Sequence, residues 1–179
     1  AAVTAVAPDS QAFRVLAALY DVRALVVPHG SLMLVHRPHP TTRPAWFSRR
    51  VEPIASFAEL GARLTSAPTT PALLREVALF VADDPRKPTD VRFDAGCERA
   101  TVGALTVSPH DGAVRVPVNV EARCPLTVAL NWIETTRVFA VRRDGSKERL
   151  SSYPVYGALT GALVPAGTAE VLVRNDLNP

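Results

Sequence analysis

The sequence predicts a β-rich α+β fold: a small mixed α/β subdomain over residues 1–84, then an antiparallel β-sandwich of jelly-roll or immunoglobulin-like type over residues 85–179. Three observations carry the prediction. Hydrophobic residues make up 47% of the chain but aromatics only 6%, so Val, Ala and Leu in short runs supply the apolar content, a composition that suits strands. The 16 prolines, excluded from helix interiors and central ladder positions, break the chain into many short elements. Beyond Asp83 the helical spacing ceases and only short apolar runs between turns remain. At 179 residues there is material for one domain, or two small ones, with a real core.

In the first half, Asp9 or Ser10 caps a helix on which Ala12, Phe13, Val15, Leu16, Leu19 and Tyr20 recur at helical spacing, ended at Asp21. Val22 to Val27 reads as a buried strand stopped by Pro28-His29-Gly30, with Leu32 to Arg37 as its hairpin partner. Pro38, Pro40 and Pro44 force an extended linker before a strand around Trp46 to Glu52. Ser56-Phe57-Ala58-Glu59 is a capping box in which the serine accepts from the Glu59 N–H and the glutamate reaches back to the serine N–H, so a helix runs from there to about Thr65. Thr70-Pro71 opens a short helical turn, and Glu76 to Ala82 reads as a strand.

The polar, proline-rich Asp83-Asp84-Pro85-Arg86-Lys87-Pro88 marks the subdomain boundary. Strands follow at about Ala100 to Ser108, Ala113 to Arg123, Leu126 to Ile133, Thr136 to Arg143, Leu159 to Val164 and Ala169 to Arg174. Turns at His110-Asp111-Gly112, Asp144-Gly145 and Pro165-Ala166-Gly167 separate several of them. Val114, Val116, Val118 and Val120 keep a two-residue period that places four valines on one face, the signature of a half-buried antiparallel strand.

Charge and cysteine usage exclude several classes of function. The net charge is +3, and the basic residues are scattered without aromatic interleaving, which disfavours a nucleic-acid partner. No apolar segment approaches the ~20 residues that span a bilayer. Ala1 to Ala7 lacks the basic region of a secretory signal, and the missing initiator Met points to a processed or excised fragment. Cys97 and Cys124 stand 27 positions apart. They read either as one disulfide, contributing roughly 3–4 kcal/mol in an oxidising compartment, or as two unrelated buried thiols. Neither belongs to a CxxC pair, and the His36-Arg37-Pro38-His39 stretch is an extended proline loop that does not aim two rings at one ion, so no metal site and no cofactor are expected. Asp83-Asp84 reads as a strand-ending turn rather than an acid/base pair.

Several short stretches in order resemble one known family. They are Leu19-Tyr20-Asp21-Val22-Arg23-Ala24-Leu25-Val26-Val27, Arg43-Pro44-Ala45-Trp46-Phe47, the helix headed by Ser56, Leu126 to Trp132, Asp144-Gly145, Tyr156-Gly157-Ala158-Leu159 and Val164-Pro165-Ala166-Gly167. Together they are similar to the C-terminal extracytoplasmic region of the YfhO family of bacterial polytopic membrane proteins, which look like GT-C type glycosyltransferases. Thr135-Thr136-Arg137-Val138-Phe139 departs from the pattern, standing where the family usually has Pro-Gly-Trp. The resemblance implies an extracytoplasmic location, periplasmic or outer, and a membrane-embedded remainder of the same polypeptide as partner. It also implies a role in cell-envelope glycan or glycolipid modification, with the catalytic carboxylate outside these residues.

No catalytic residue is therefore assigned. Trp46, Trp132, Tyr153 and Tyr156 are the aromatics able to stack on a sugar, with Glu134 and Arg137 as hydrogen-bonding neighbours. Trp132 follows an alternating run, so its ring either turns away from the side of Ile133 or fills the sandwich core. The expected function is a non-catalytic extracytoplasmic domain of a polytopic membrane glycosyltransferase-like protein that caps the membrane active site and orients an acceptor or lipid-linked donor, with a glycan or lipid-linked sugar as a candidate partner. The alternatives are a free-standing carbohydrate-binding or adhesion module and a structural protein-interaction domain.

Overall fold

The computed structural model describes residues 25–29, 32–36, 44–66 and 70–176. The helix expected from Asp9 to Tyr20 and the loop with His39 lie outside them. The first hairpin is present: β1 (Leu25–His29) and β2 (Leu32–His36) pair antiparallel with Val27 opposite Leu34. β1 runs through Pro28, which the sequence reading had placed beyond the strand's end.

The strand expected around Trp46 to Glu52 is two strands in two sheets. β3 (Ala45–Phe47) pairs antiparallel with a later strand, the chain turns at Ser48-Arg49, and β4 (Arg50–Ile54) pairs in parallel with β5 (Val77–Val81). The Ser48 hydroxyl, buried in that turn, donates to the Leu74 carbonyl at 2.5 Å, which satisfies it. Between β4 and β5 run α1 (Phe57–Ser66) and α2 (Thr70–Glu76). At the head of α1 the Ser56 Oγ accepts from the Glu59 N–H at 3.2 Å as expected, but the Glu59 carboxylate takes the Ala55 N–H at 2.8 Å, one residue before the position the capping box predicts.

The second half holds β6 (Thr101–Val102), β7 (Thr106–Val107), β8 (Val114–Asn119), β9 (Cys124–Asn131), β10 (Thr136–Arg142), β11 (Lys147–Leu150), β12 (Ser152–Val155), β13 (Leu159–Val164) and β14 (Thr168–Asn175). The single strand expected at Ala100 to Ser108 is broken at Gly103, and β11 and β12 were not expected at all. One sheet has the order β11-β10-β14-β8-β6, with β7 also on β8; the other has the order β12-β13-β9-β3. All pairings within both are antiparallel.

The layering explains the burial. Val114, Val116 and Val118 alternate with exposed Arg115, Pro117 and Asn119, so β8 covers the core on one side and meets water on the other. All six residues of β13 are buried, because its sheet is covered on both faces. Towards the larger sheet, Ala45, Phe47, Leu126, Ala162 and Val164 pack with Val116, Val138 and Val171. Away from it, Trp46, Tyr153, Tyr156, Leu159 and Leu163 pack with Leu60, Leu64, Leu74 and Leu79 of the α/β layer. Apolar packing is therefore continuous across position 84. Cys97 and Cys124 are joined in a disulfide with Cα atoms 5.4 Å apart, tying a single 3-10 turn (Cys97–Arg99) to the start of β9.

Candidate functional site

The six residues singled out for glycan contact separate into two groups. Trp46 is 9% exposed, Tyr153 2% and Tyr156 0%. Their rings lie in the core between the smaller sheet and the helices, Trp46 and Tyr156 with centroids 6.3 Å apart, so none offers a face to a sugar. Both faces of β3 are covered, Ala45 and Phe47 on one side and Trp46 on the other.

Trp132, Glu134 and Arg137 are brought together at the end of β9 and the start of β10. With Lys87, Thr89, Thr136 and Arg149 they line an open groove of about 500 Å³. Trp132 neither fills the core nor stands free. Its indole N–H donates to the Ser152 Oγ at 3.2 Å, and that hydroxyl donates to the Thr136 carbonyl at 3.2 Å, so the ring is hung from β12 and β10. The Arg86 guanidinium lies over the ring, 5.6 Å from its centroid. Arg86 is held in turn by Asp84, whose Oδ1 accepts from the Arg86 N–H at 2.9 Å and from Nε at 2.7 Å, and whose Oδ2 takes Nη2 at 2.5 Å. These hydrogen bonds hold the Asp84 carboxyl below its ordinary pKa.

The turn between β9 and β10 is fixed from within. The Thr136 Oγ1 accepts from the Ile133 N–H at 2.9 Å and donates to Asn175 Oδ1 at 2.8 Å, while Arg137 Nη1 donates to the Glu134 carbonyl at 2.8 Å. Glu134 is exposed at the turn, and its charge acts on Arg86. The groove thus presents an amphipathic ring edge, one carboxylate, three cations and several hydroxyls, a set that suits a polyhydroxylated ligand.

Sequence reasoning missed Arg86, Lys87, Arg149 and Ser152. Arg86 and Lys87 lay in a stretch read only as a boundary. Arg149 and Ser152 lie on β11 and β12, whose Lys-Glu-Arg-Leu-Ser-Ser run carries no apolar alternation to mark a strand. Among the described residues no three His, Cys, Asp or Glu side chains gather as a metal site, and no helix is long and apolar enough to cross a membrane. Comparison with family models finds no match for this chain, and comparisons with curated proteins and with solved structures find none either.

Proposed function

We propose that the chain is a non-catalytic extracytoplasmic domain of a polytopic, glycosyltransferase-like membrane protein, of the kind its YfhO resemblance implies. It serves cell-envelope glycan or glycolipid modification by holding a glycan in the Trp132 groove. The observation that carries this reading is the groove itself: a half-buried indole fixed by Ser152, beside Glu134, Arg137 and open hydroxyls. The Cys97–Cys124 disulfide supports an oxidising compartment outside the cytoplasm.

The test is titration with a panel of neutral mono- and oligosaccharides, read by tryptophan fluorescence. Trp46 is enclosed in the core, so a ligand-dependent change reports Trp132. A shift abolished by Trp132→Phe supports the reading, and silence across the panel overturns it. A parent gene encoding no membrane helices upstream of Ala1 would overturn the membrane part and leave the free-standing carbohydrate-binding module.

A second reading, a protein-interaction domain docked on the membrane-embedded remainder, is favoured by Phe57. It is 55% exposed and lines a mostly apolar depression with Ala55, Val81 and Pro85. Phe57→Ser weakening association with that remainder would support it.

A further inference from the structure

The Trp132 groove does not end at Arg149. A second depression of about 420 Å³ shares Pro88, Arg149, Leu150 and Ser151 with it and continues to Arg123 and Tyr153. We infer that this continuation is an anion subsite in which Arg149 and the Tyr153 hydroxyl hold a carboxylate or phosphate group on the same glycan ligand. The inference rests on the glycan reading for the rest of the ligand, and its own support is independent.

The charges of the second depression are unequally engaged. Asp90 is taken by Arg92 and by Arg123, each at 3.1 Å, and Glu148 faces Arg142 at 3.3 Å. Both carboxylates are thus matched by cations. Arg149 is exposed and has no carboxylate partner among the described residues, and of the four residues that line both depressions it is the charged one. A guanidinium so placed offers a planar fork of donors suited to a carboxylate or phosphate.

Tyr153 supplies the second observation. It is almost wholly enclosed, yet among the described residues its hydroxyl has no hydrogen-bond partner, which buried hydroxyls rarely lack. Tyr153 lines the depression, and the charge of Arg123, which lines it too, acts on the phenol. Burial keeps that phenol protonated, so it stands as an O–H donor within reach of the Arg123 charge, in the depression that Arg149 also lines.

The experiment is calorimetric titration of the chain with a glucuronic-acid trisaccharide, its neutral glucose counterpart, a phosphorylated trisaccharide and inorganic phosphate. It is repeated on Arg149→Gln, on Tyr153→Phe and on Arg143→Gln, an exposed arginine outside both depressions. The acidic ligand should bind about tenfold tighter than the neutral one, with the difference shrinking at raised salt. Arg149→Gln should erase that difference, Arg143→Gln should not, and Tyr153→Phe should weaken acidic binding several-fold without lowering the melting temperature. Whether the phosphorylated or the carboxylated ligand gains more identifies the group. Equal binding of acidic and neutral ligands, or an Arg149→Gln effect no larger than that of Arg143→Gln, overturns the anion subsite and leaves the glycan reading standing. Acidic ligands and phosphate binding through Arg149, with neutral sugars inert, overturns the glycan reading and keeps the subsite. No binding by any ligand overturns both.

Discussion

The Tyr156 hydroxyl donates to the backbone carbonyl of Val77, joining residues 79 positions apart in the chain. The Tyr156 N–H also donates to the Leu79 carbonyl at 2.8 Å, so one residue ties the turn after β12 to β5 through both its backbone and its side chain. The turn is tight. The Ala158 N–H returns to the Val155 carbonyl at 3.2 Å, and Tyr156 and Gly157 both take positive φ, 50° and 88°, as the primed hairpin turn requires. Tyr156 thereby packs against Trp46 in the layer between the smaller sheet and the helices.

Tyr156→Phe keeps the ring and removes the bond, leaving the Val77 carbonyl without this donor. The expected cost is about 1–2 kcal/mol, or about 2–8 °C in Tm for a chain of this size. Urea unfolding measures it, and an unchanged midpoint would mean the bond contributes nothing net.

Gly161→Ala should destabilise although the backbone there is ordinary. A Cβ at this position would lie 2.6 Å from Val155 Cγ1 and 2.9 Å from Tyr153 Cε2, in a region enclosed from both sides. Overpacking of this kind costs about 1–3 kcal/mol. Thermal unfolding of the variant beside the parent checks it, and a stability equal to the parent's would show that the neighbouring strand yields freely.

Replacing both Cys97 and Cys124 by Ala should cost about 3–4 kcal/mol for a loop of 27 residues. Denaturant unfolding with and without reductant should give the same loss for the parent protein and no reductant effect for the variant. A parent insensitive to full reduction would overturn a stabilising role.

Acidification should destabilise the fold as pH falls from about 4 towards 2. Hydrogen bonds from Arg86 lower the folded pKa of Asp84, and the Arg92 N–H, with the Arg92 and Arg123 guanidinium groups, takes Asp90 down to about 2. Because both folded values lie below the ordinary carboxylate range, the unfolded chain binds protons first. The stabilisation is therefore present above about pH 4 and is lost as pH falls through the folded values. Urea midpoints taken from neutral pH downward should show this slope, and Asp84→Asn should flatten part of it. An identical slope in that variant would remove Asp84 from the account.

What was legible in the sequence is what depends on near neighbours. The valines of β8, the serine cap of α1 and the Asp144-Gly145 turn, where Asp144 Oδ1 accepts from the Ser146 N–H at 2.9 Å, are local devices and stand where the pattern put them. β11 was illegible because charged residues dominate it, and β12 because it is four residues long with a proline inside; they gain their pairing from β10 and β13 rather than from their own alternation. Half of the candidate site was legible: Trp132, Glu134 and Arg137 are close in sequence and remain close in space. Arg86 and Arg149 join them only through the fold, Arg86 by lying over the Trp132 ring and Arg149 from β11, which pairs with β10.

The sequence alone determined a β-rich α+β chain with short strands, their turns, and two cysteines free to pair. It could not decide which aromatic rings see water. A two-residue period assigns side chains to two faces of a strand, and only the arrangement of layers says whether a face is covered. The helices and the β4–β5 pair cover the second face of the smaller sheet, so Trp46, Tyr153 and Tyr156 became core. Trp132, just past the end of β9 and beyond that cover, became part of a groove wall. Tertiary packing alone made the disulfide, because it brought Cys97 within 5.4 Å of Cys124, measured between Cα atoms.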